Sequence, residues 1–274
     1  MSDKNEGNYN FGGNNGFINY LRRYRTVEVC AQFFRHRIEP NSDILDCGCG
    51  PGSVTLGLAE WALAGRTIGI DLDCEQFDIA RALAEAKGIS NIDFQKASIF
   101  QLPFENDQFD IVFAQALFAH IPQHSEAIRE IHRVLKPGGY VAIRDIVSSL
   151  ILISPAEQMA EKLRFIYCQG MIYSGGNPDV GLSLGRLLLD NNFDQLELSV
   201  DWEQSPNCDF RTEYFANLVD VVDNGKLGKL AVGEGWITAT EKQEISQSCR
   251  NLANNAAAMW GLPFVQALAQ KPWS

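Results

Sequence analysis

The chain has no apolar run long enough to cross a bilayer. Its longest, Ile146 to Ile153, is interrupted by serines and falls well short of the roughly 20 residues that a spanning helix needs, so no membrane insertion is expected. Met1 to Glu6 shows no basic segment followed by an apolar one, which makes a secretory leader unexpected and a cytoplasmic location the expectation. The 7 cysteines are scattered, odd in number and without framework spacing, as suits a reducing compartment. Cys47 and Cys49 form a C-x-C, yet no second pair of ligands stands at zinc spacing, so no metal is expected. Positive charge is also short: 23 Lys and Arg face 34 Asp and Glu, a net charge of −11. Nucleic-acid affinity comes largely from cations neutralising phosphates, so no nucleic-acid partner is expected, even with the local patch Arg22, Arg23 and Arg25.

What is present is ordinary for a globular protein: 46% hydrophobic and 21% charged residues over 274 positions, enough for one core plus a cap. The chain is organised around Asp43 to Gly52, an apolar strand that runs into a turn with Gly48, Gly50 and Gly52 at alternate positions. Such a turn bends sharply and lets a ligand lie against bare main chain. Val54, Leu58 and Trp61 then recur at helical spacing, so the turn feeds a helix whose N-terminus faces that ligand. About twenty residues on, Asp71 closes a second strand, at the distance where an acid holds a ribose diol. Together these describe a nucleoside site. A dinucleotide fingerprint would need a third small packing residue where Ser53 stands, which opposes a nicotinamide dehydrogenase.

The pattern D-x-G-x-G-x-G from Asp46 to Gly52 resembles motif I of the class I S-adenosylmethionine-dependent methyltransferases. Three later features fall in register with it: the strand Phe109 to Ala114 with Gln115 to Pro122 at its carboxyl end, the turn Lys136-Pro137-Gly138-Gly139 entering strand Tyr140 to Asp145, and Ser98-Ile99-Phe100-Gln101-Leu102-Pro103-Phe104. The resemblance implies a doubly wound α/β fold with a seven-stranded, mostly parallel sheet, S-adenosylmethionine as methyl donor and S-adenosylhomocysteine as product. It implies a cofactor site formed by Tyr20, Arg25, Asp46, Gly48, Cys49, Gly50, Asp71, Leu72, Ser98, Ile99, Gln115 and Ala116. Ser98 stands where the family carries an acid for the adenine amino group, a departure that shifts recognition toward the Ile99 N–H. Arg25 to Glu28 looks like the helix that covers the cofactor in the ubiquinone/menaquinone C-methyltransferases, although a packed helix with solvated arginines fits the same residues. His120 falls near the implied reaction centre, as a candidate base or as a structural neighbour of the cofactor.

Domain organisation is expected as a flexible Asn- and Gly-rich start with a lid helix Phe17 to Arg37 (1–37), a cofactor core (38–150), a cap insertion (151–192), and completion of the sheet by strands Phe193 to Val200 and Phe264 to Ala269 around a second cap insertion (193–274). Helices are expected at Ser154 to Tyr167, Gly181 to Asp190, Tyr214 to Val222 and Thr238 to Met259, the last opened by a Thr238-x-x-Glu241 capping box. Aromatic residues gather in these inserts, either as the cap's own core or as an acceptor pocket for which Phe118, Tyr173, Trp202, Tyr214 and Trp236 are the candidates. The expected reaction is methyl transfer to N, O or C of a small, largely apolar or aromatic metabolite, natural-product N- or O-methylation foremost. Ring C-methylation of a quinone and a non-catalytic S-adenosylmethionine-binding module are the alternatives, and monomer and homodimer both stay open.

Overall fold

The structure, a computed structural model, describes residues 15–155, 158–204 and 208–273. Of the expected flexible start, residues 1–16, the first fourteen lie outside them, while Asn15 and Gly16 open the first helix. Five strands, β1 (Ile44–Cys47), β2 (Thr67–Asp71), β3 (Ile92–Lys96), β4 (Phe109–Gln115) and β5 (Leu135–Ile146), pair in parallel in the order β3-β2-β1-β4-β5. The near-continuous apolar runs of β1 and β4 follow from this placement, since helices cover both faces of a central parallel strand. α3 (Ser53–Trp61) and α4 (Phe77–Ala86) connect the first strands, and α5 (His124–Val134) buries Ala127, Ile128 and Ile131 against the opposite face.

Beyond β5 the sheet turns antiparallel. β8 (Met259–Gln270) pairs with β5, and β7 (Asp194–Gln204) pairs with the outer side of β8. A short strand β6 (Leu152–Ser154) adds to the start of β8, through Ile153 opposite Trp260, which makes eight strands among the described residues where seven are expected. Between β6 and β7 lie α6 (Gln158–Tyr173) and α7 (Leu184–Leu189); between β7 and β8 lie α8 (Cys208–Asp223), α9 (Lys226–Gly233) and α10 (Ala239–Asn254). The capping box of α10 is formed, with Glu241 N–H donating to Thr238 Oγ1 at 3.1 Å and Thr238 N–H to Glu241 Oε2 at 2.7 Å. α10 stops earlier than its periodicity predicts, because Met259 and Trp260 enter β8 and Trp260 is buried beneath the cap.

The N-terminal segment departs most from expectation. Instead of one helix it comprises α1 (Asn15–Tyr24), α2 (Val27–Cys30) and a 3-10 turn, Gln32–Arg37. Thr26, extended at φ −97° and ψ 168°, begins α2, and the break lets Arg25 turn into the protein. α2 and the 3-10 turn are anchored by Val27, Cys30, Ala31 and Phe34, which pack on the sheet face carrying Ile44, Ile111, Phe113 and Ala142. α1 bridges the two halves of the molecule. Arg22 Nη2 donates to Gln76 Oε1 at 2.7 Å, just beyond β2, while Arg23 pairs at 2.5 Å with Glu213 of α8.

Candidate active site

The glycine turn sits at the carboxyl end of β1, held against β2 by Gly48 and Cys49 N–H groups donating to Ile70 O at 2.8 and 3.0 Å. Gly48, Gly50 and Gly52 all adopt left-handed φ, at 74°, 51° and 77°, where side chains are disfavoured. Their surroundings differ. A Cβ on Gly52 would stand 2.8 Å from the Phe94 ring, so this glycine serves packing between turn and sheet. A Cβ on Gly50 would meet nothing within 4 Å: it would project into open space above the turn, where a ligand has room to lie on bare main chain. Gly52→Ala is therefore expected to destabilise the fold by about 2 kcal/mol or more, through overpacking added to backbone strain. Gly50→Ala should cost only about 1 kcal/mol of stability, yet weaken S-adenosylhomocysteine binding about tenfold or more. Urea unfolding and calorimetric titration of the two variants separate these effects.

Asp71, at the end of β2, accepts from Gly50 N–H at 2.8 Å and from Asp73 N–H at 3.0 Å. Burial pushes its carboxyl above the ordinary range, with those two N–H groups opposing. Asp46 is turned inward: its carboxylate, 2% exposed, accepts from Thr55 Oγ1 of α3 at 2.6 Å and so ties the turn to its helix. Burial raises that carboxyl to about 7 despite the Thr55 bond. Leu72 is half exposed beside the turn. Ser98 Oγ accepts from Phe100 N–H at 3.3 Å, and Ile99 is buried next to it. At the carboxyl end of β4, Ala116 takes a left-handed φ of 48°, which for a residue with a Cβ is a strained position of the sort stored at functional sites.

Above this edge lies a buried polar group that sequence spacing did not reveal. Glu203, on β7 and 6% exposed, accepts from Tyr20 Oη at 2.9 Å and from Arg25 Nε at 2.8 Å. Tyr20 and Arg25, expected at the cofactor, are thus joined to one carboxylate on the outer strand β7. Around them the rings of Tyr20, Tyr24, Phe210, Tyr214 and Trp260 form a continuous cluster, with Tyr214 3.7 Å from Trp260 between centroids. Of the acceptor candidates only Tyr214 belongs to it. Trp202 stands on the opposite face of β7 from Glu203 and is 43% exposed, because successive side chains alternate across a strand. Tyr173 and Trp236 pair with each other at 5.8 Å and share no ring contact with that cluster among the described residues. Phe118 is fully buried in the core.

The loop that carries His120 is fixed from beneath. Asp145, buried near the end of β5, accepts from Phe118 N–H at 2.7 Å and Ile146 N–H at 2.9 Å. Burial lifts its carboxyl to about 6 even against those bonds. His120 itself has its pKa lowered to about 4, chiefly by burial and further by the positive charge of Arg25. The imidazole is therefore neutral at neutral pH, within electrostatic reach of the Arg25 guanidinium.

A glycine turn at the switch point of a doubly wound sheet, with an acid at the end of the neighbouring strand, is the arrangement at which open α/β sheets hold ligands. The sequence profile of the family described as Methyltransferase domain matches residues 38–179. An uncharacterized methyltransferase of Schizosaccharomyces pombe is 30% identical over 200 residues, covering 70% of this chain and 71% of that protein. The demethylmenaquinone methyltransferase of Lactococcus lactis is 37% identical over 99 residues, 36% of this chain and 39% of that protein. Among solved structures, the cyclase SpnF superposes with a TM-score of 0.55 at 22% identity, covering 89% of this chain and 80% of that one, a likeness of fold. The chain belongs to the methyltransferase-domain family and is a class I S-adenosylmethionine-dependent methyltransferase.

Proposed function

We propose that this methyltransferase acts on N or O of a small, largely apolar or aromatic metabolite received between the cap and the carboxyl edge of the sheet. The observation that carries this reading is the ring cluster of Tyr20, Phe210, Tyr214 and Trp260, joined through Tyr20 to the buried Glu203 and its partner Arg25. Small-molecule sites favour such apolar walls with a few placed polar groups. A quinone-like ring methylated on carbon is the second reading, supported by the Lactococcus lactis relative. Incubation with S-adenosylmethionine and panels of phenolic, amine and quinol acceptors, followed by mass and NMR location of the methyl group, tests both. Methyl transfer confined to polar, non-aromatic acceptors would sink them.

The residues present fit the donor: the open space over Gly50 leaves room on the turn, and Asp71 stands where a diol would meet it. In this reading Gly48, Cys49 and Gly50 underlie the nucleoside, Asp71 takes the ribose hydroxyls, Leu72, Ser98 and Ile99 border adenine, and Gln115 and Ala116 face the amino-acid end under Tyr20 and Arg25. S-adenosylmethionine supplies a methyl group already activated on a sulfonium, so the chain's own task is placement and, for a phenol, proton removal.

His120 is assigned that proton. Because its pKa is lowered, the neutral form that accepts a proton is the resting state across the physiological range, and kcat should be flat from near neutrality until pH falls toward about 4. His120→Asn is expected to lower kcat about a hundredfold with little change in S-adenosylhomocysteine affinity. Unchanged turnover in a steady-state assay would leave His120 a neighbour of the site only.

A further inference from the structure

A row of polar side chains crosses the sheet on the face covered by α2, and of its members only Gln115 belongs to the donor site described above. Gln115 on β4 is in register with Arg144 on β5, Arg144 with Gln266 on β8, and Gln266 with Ser199 on β7. Gln266 and Ser199 satisfy each other, Ser199 Oγ donating to Gln266 Oε1 at 2.7 Å. The other two residues do not find enough partners. Arg144 has a fully buried side chain, and its guanidinium lies over the Phe264 ring, 3.8 Å from the centroid. One nitrogen, Nη2, donates to Asp201 Oδ2 at 2.9 Å, while Nε and Nη1 are buried with no hydrogen-bond partner among the described residues. Contact with the ring occupies the face of the guanidinium, and the N–H bonds lie in its plane, so that contact leaves the donors unspent. Beside it, Gln115 Oε1 and Nε2 are likewise buried and find no partner stronger than the Cys30 thiol among the described residues.

Buried polar atoms are rarely left unmatched, and an arginine, which cannot shed its proton, least of all. We infer that Arg144 and Gln115 form a subsite for a carboxylate, reached from the carboxyl edge before the α1–α2 segment closes over it. This inference rests on the donor site described above and extends it in the direction of β5. Charge-assisted bonds from a guanidinium select a carboxylate oxygen over a neutral one, and the amide of Gln115 supplies a further donor. Two molecules present this chemistry at this edge. One is the amino-acid end of the donor, since Gly48 follows the Cys47 that pairs with Ala114, placing the glycine turn one strand away from Gln115. The other is an acid-bearing acceptor entering under the cap.

Calorimetry with wild type, Arg144→Met and Gln115→Leu distinguishes the sources. The Gln115 variant leaves the Arg144–Asp201 pair in place and serves if Arg144→Met fails to fold. Each protein is titrated with S-adenosylhomocysteine and with its decarboxylated analogue; the complex with S-adenosylhomocysteine is then titrated with benzoate and with benzamide. If the donor's carboxylate occupies the subsite, wild type prefers S-adenosylhomocysteine over the decarboxylated analogue by about tenfold or more, and the variants lose that preference. If an acceptor's carboxylate does, the donor affinities are unchanged, and a wild-type preference for benzoate over benzamide disappears in the variants. Variants that alter neither preference would overturn the subsite and assign the unspent N–H groups to internal water. Failure of wild type to bind S-adenosylhomocysteine at all would instead overturn the donor site beneath it, and this inference with it.

Discussion

Glu203→Ala should destabilise the protein by about 3 kcal/mol, one of the largest single-residue effects expected away from the apolar core. Its carboxylate is held at 6% exposure between Tyr20 Oη and Arg25 Nε, and the Arg25 side chain is 18% exposed. Deleting one member of a buried pair leaves the other charge desolvated and unmatched, a heavier loss than the pair's own net contribution. Burial opposes the charge on Glu203, yet the Arg25 guanidinium and its hydrogen bonds outweigh that and hold the carboxyl below its ordinary range. A depressed folded-state pKa contributes stability that is fully present above the unfolded carboxylate value of about 4.3 and disappears as pH falls through the folded value. The acid limb of the stability curve should accordingly flatten in Glu203→Gln. Because Tyr20 and Arg25 belong to the segment that bridges core and cap, Glu203→Ala should also speed proteolysis between α1 and α2. A urea midpoint equal to wild type, with unchanged proteolysis, would remove this pair from any role in holding the segment.

The parts of the structure legible in the sequence are those whose causes are local. The glycine turn, Asp71, the buried strand β4 and the α10 capping box each rest on a constraint acting within a few residues to some twenty, and each is found where spacing places it. The strand pair β7–β8 is readable as two strands, Phe193 to Val200 and Phe264 to Ala269, although not in their full extent of Asp194–Gln204 and Met259–Gln270. Glu203 was not readable, because it sits 178 positions from Arg25 and its inward direction depends on β7 pairing with β8 through Glu203 opposite Leu262. Shifting that register by one residue would turn Trp202 inward instead. Composition even misleads here: Leu198, Val200 and Trp202 are exposed on one side of β7, while Asp201 meets the buried Arg144 and Glu203 is itself buried on the other. The break between α1 and α2 has the same origin, since helical periodicity runs through Arg25 and the distant carboxylate draws that residue out of line. Arg144 escaped notice for a related reason: one arginine in an apolar strand gives no sign of which neighbours will meet it.

Asp71→Ala is expected to weaken S-adenosylhomocysteine binding about a hundredfold. Two hydrogen bonds from ribose hydroxyls to a carboxylate contribute roughly 1.5 kcal/mol each, and 1.4 kcal/mol corresponds to a factor of ten. The carboxylate also accepts from Gly50 N–H at 2.8 Å, so the alanine variant loosens the turn as well as deleting the anchor. Asp71→Asn removes the charge while its amide oxygen can still accept from Gly50, although its amide nitrogen then faces the Asp73 N–H; about a tenfold loss is expected. Because burial raises the Asp71 pKa, wild-type affinity should begin to fall on acidification at a pH above the ordinary aspartate value of about 3.9, and the asparagine variant should show no such fall. Titration calorimetry of the three proteins between neutral and mildly acid pH reads all of this. If the alanine variant bound as tightly as wild type, the ribose would lie elsewhere; if the asparagine variant kept the wild-type pH dependence, the titrating group would be another, and Asp46, raised to about 7 in the same turn, would be the next to substitute.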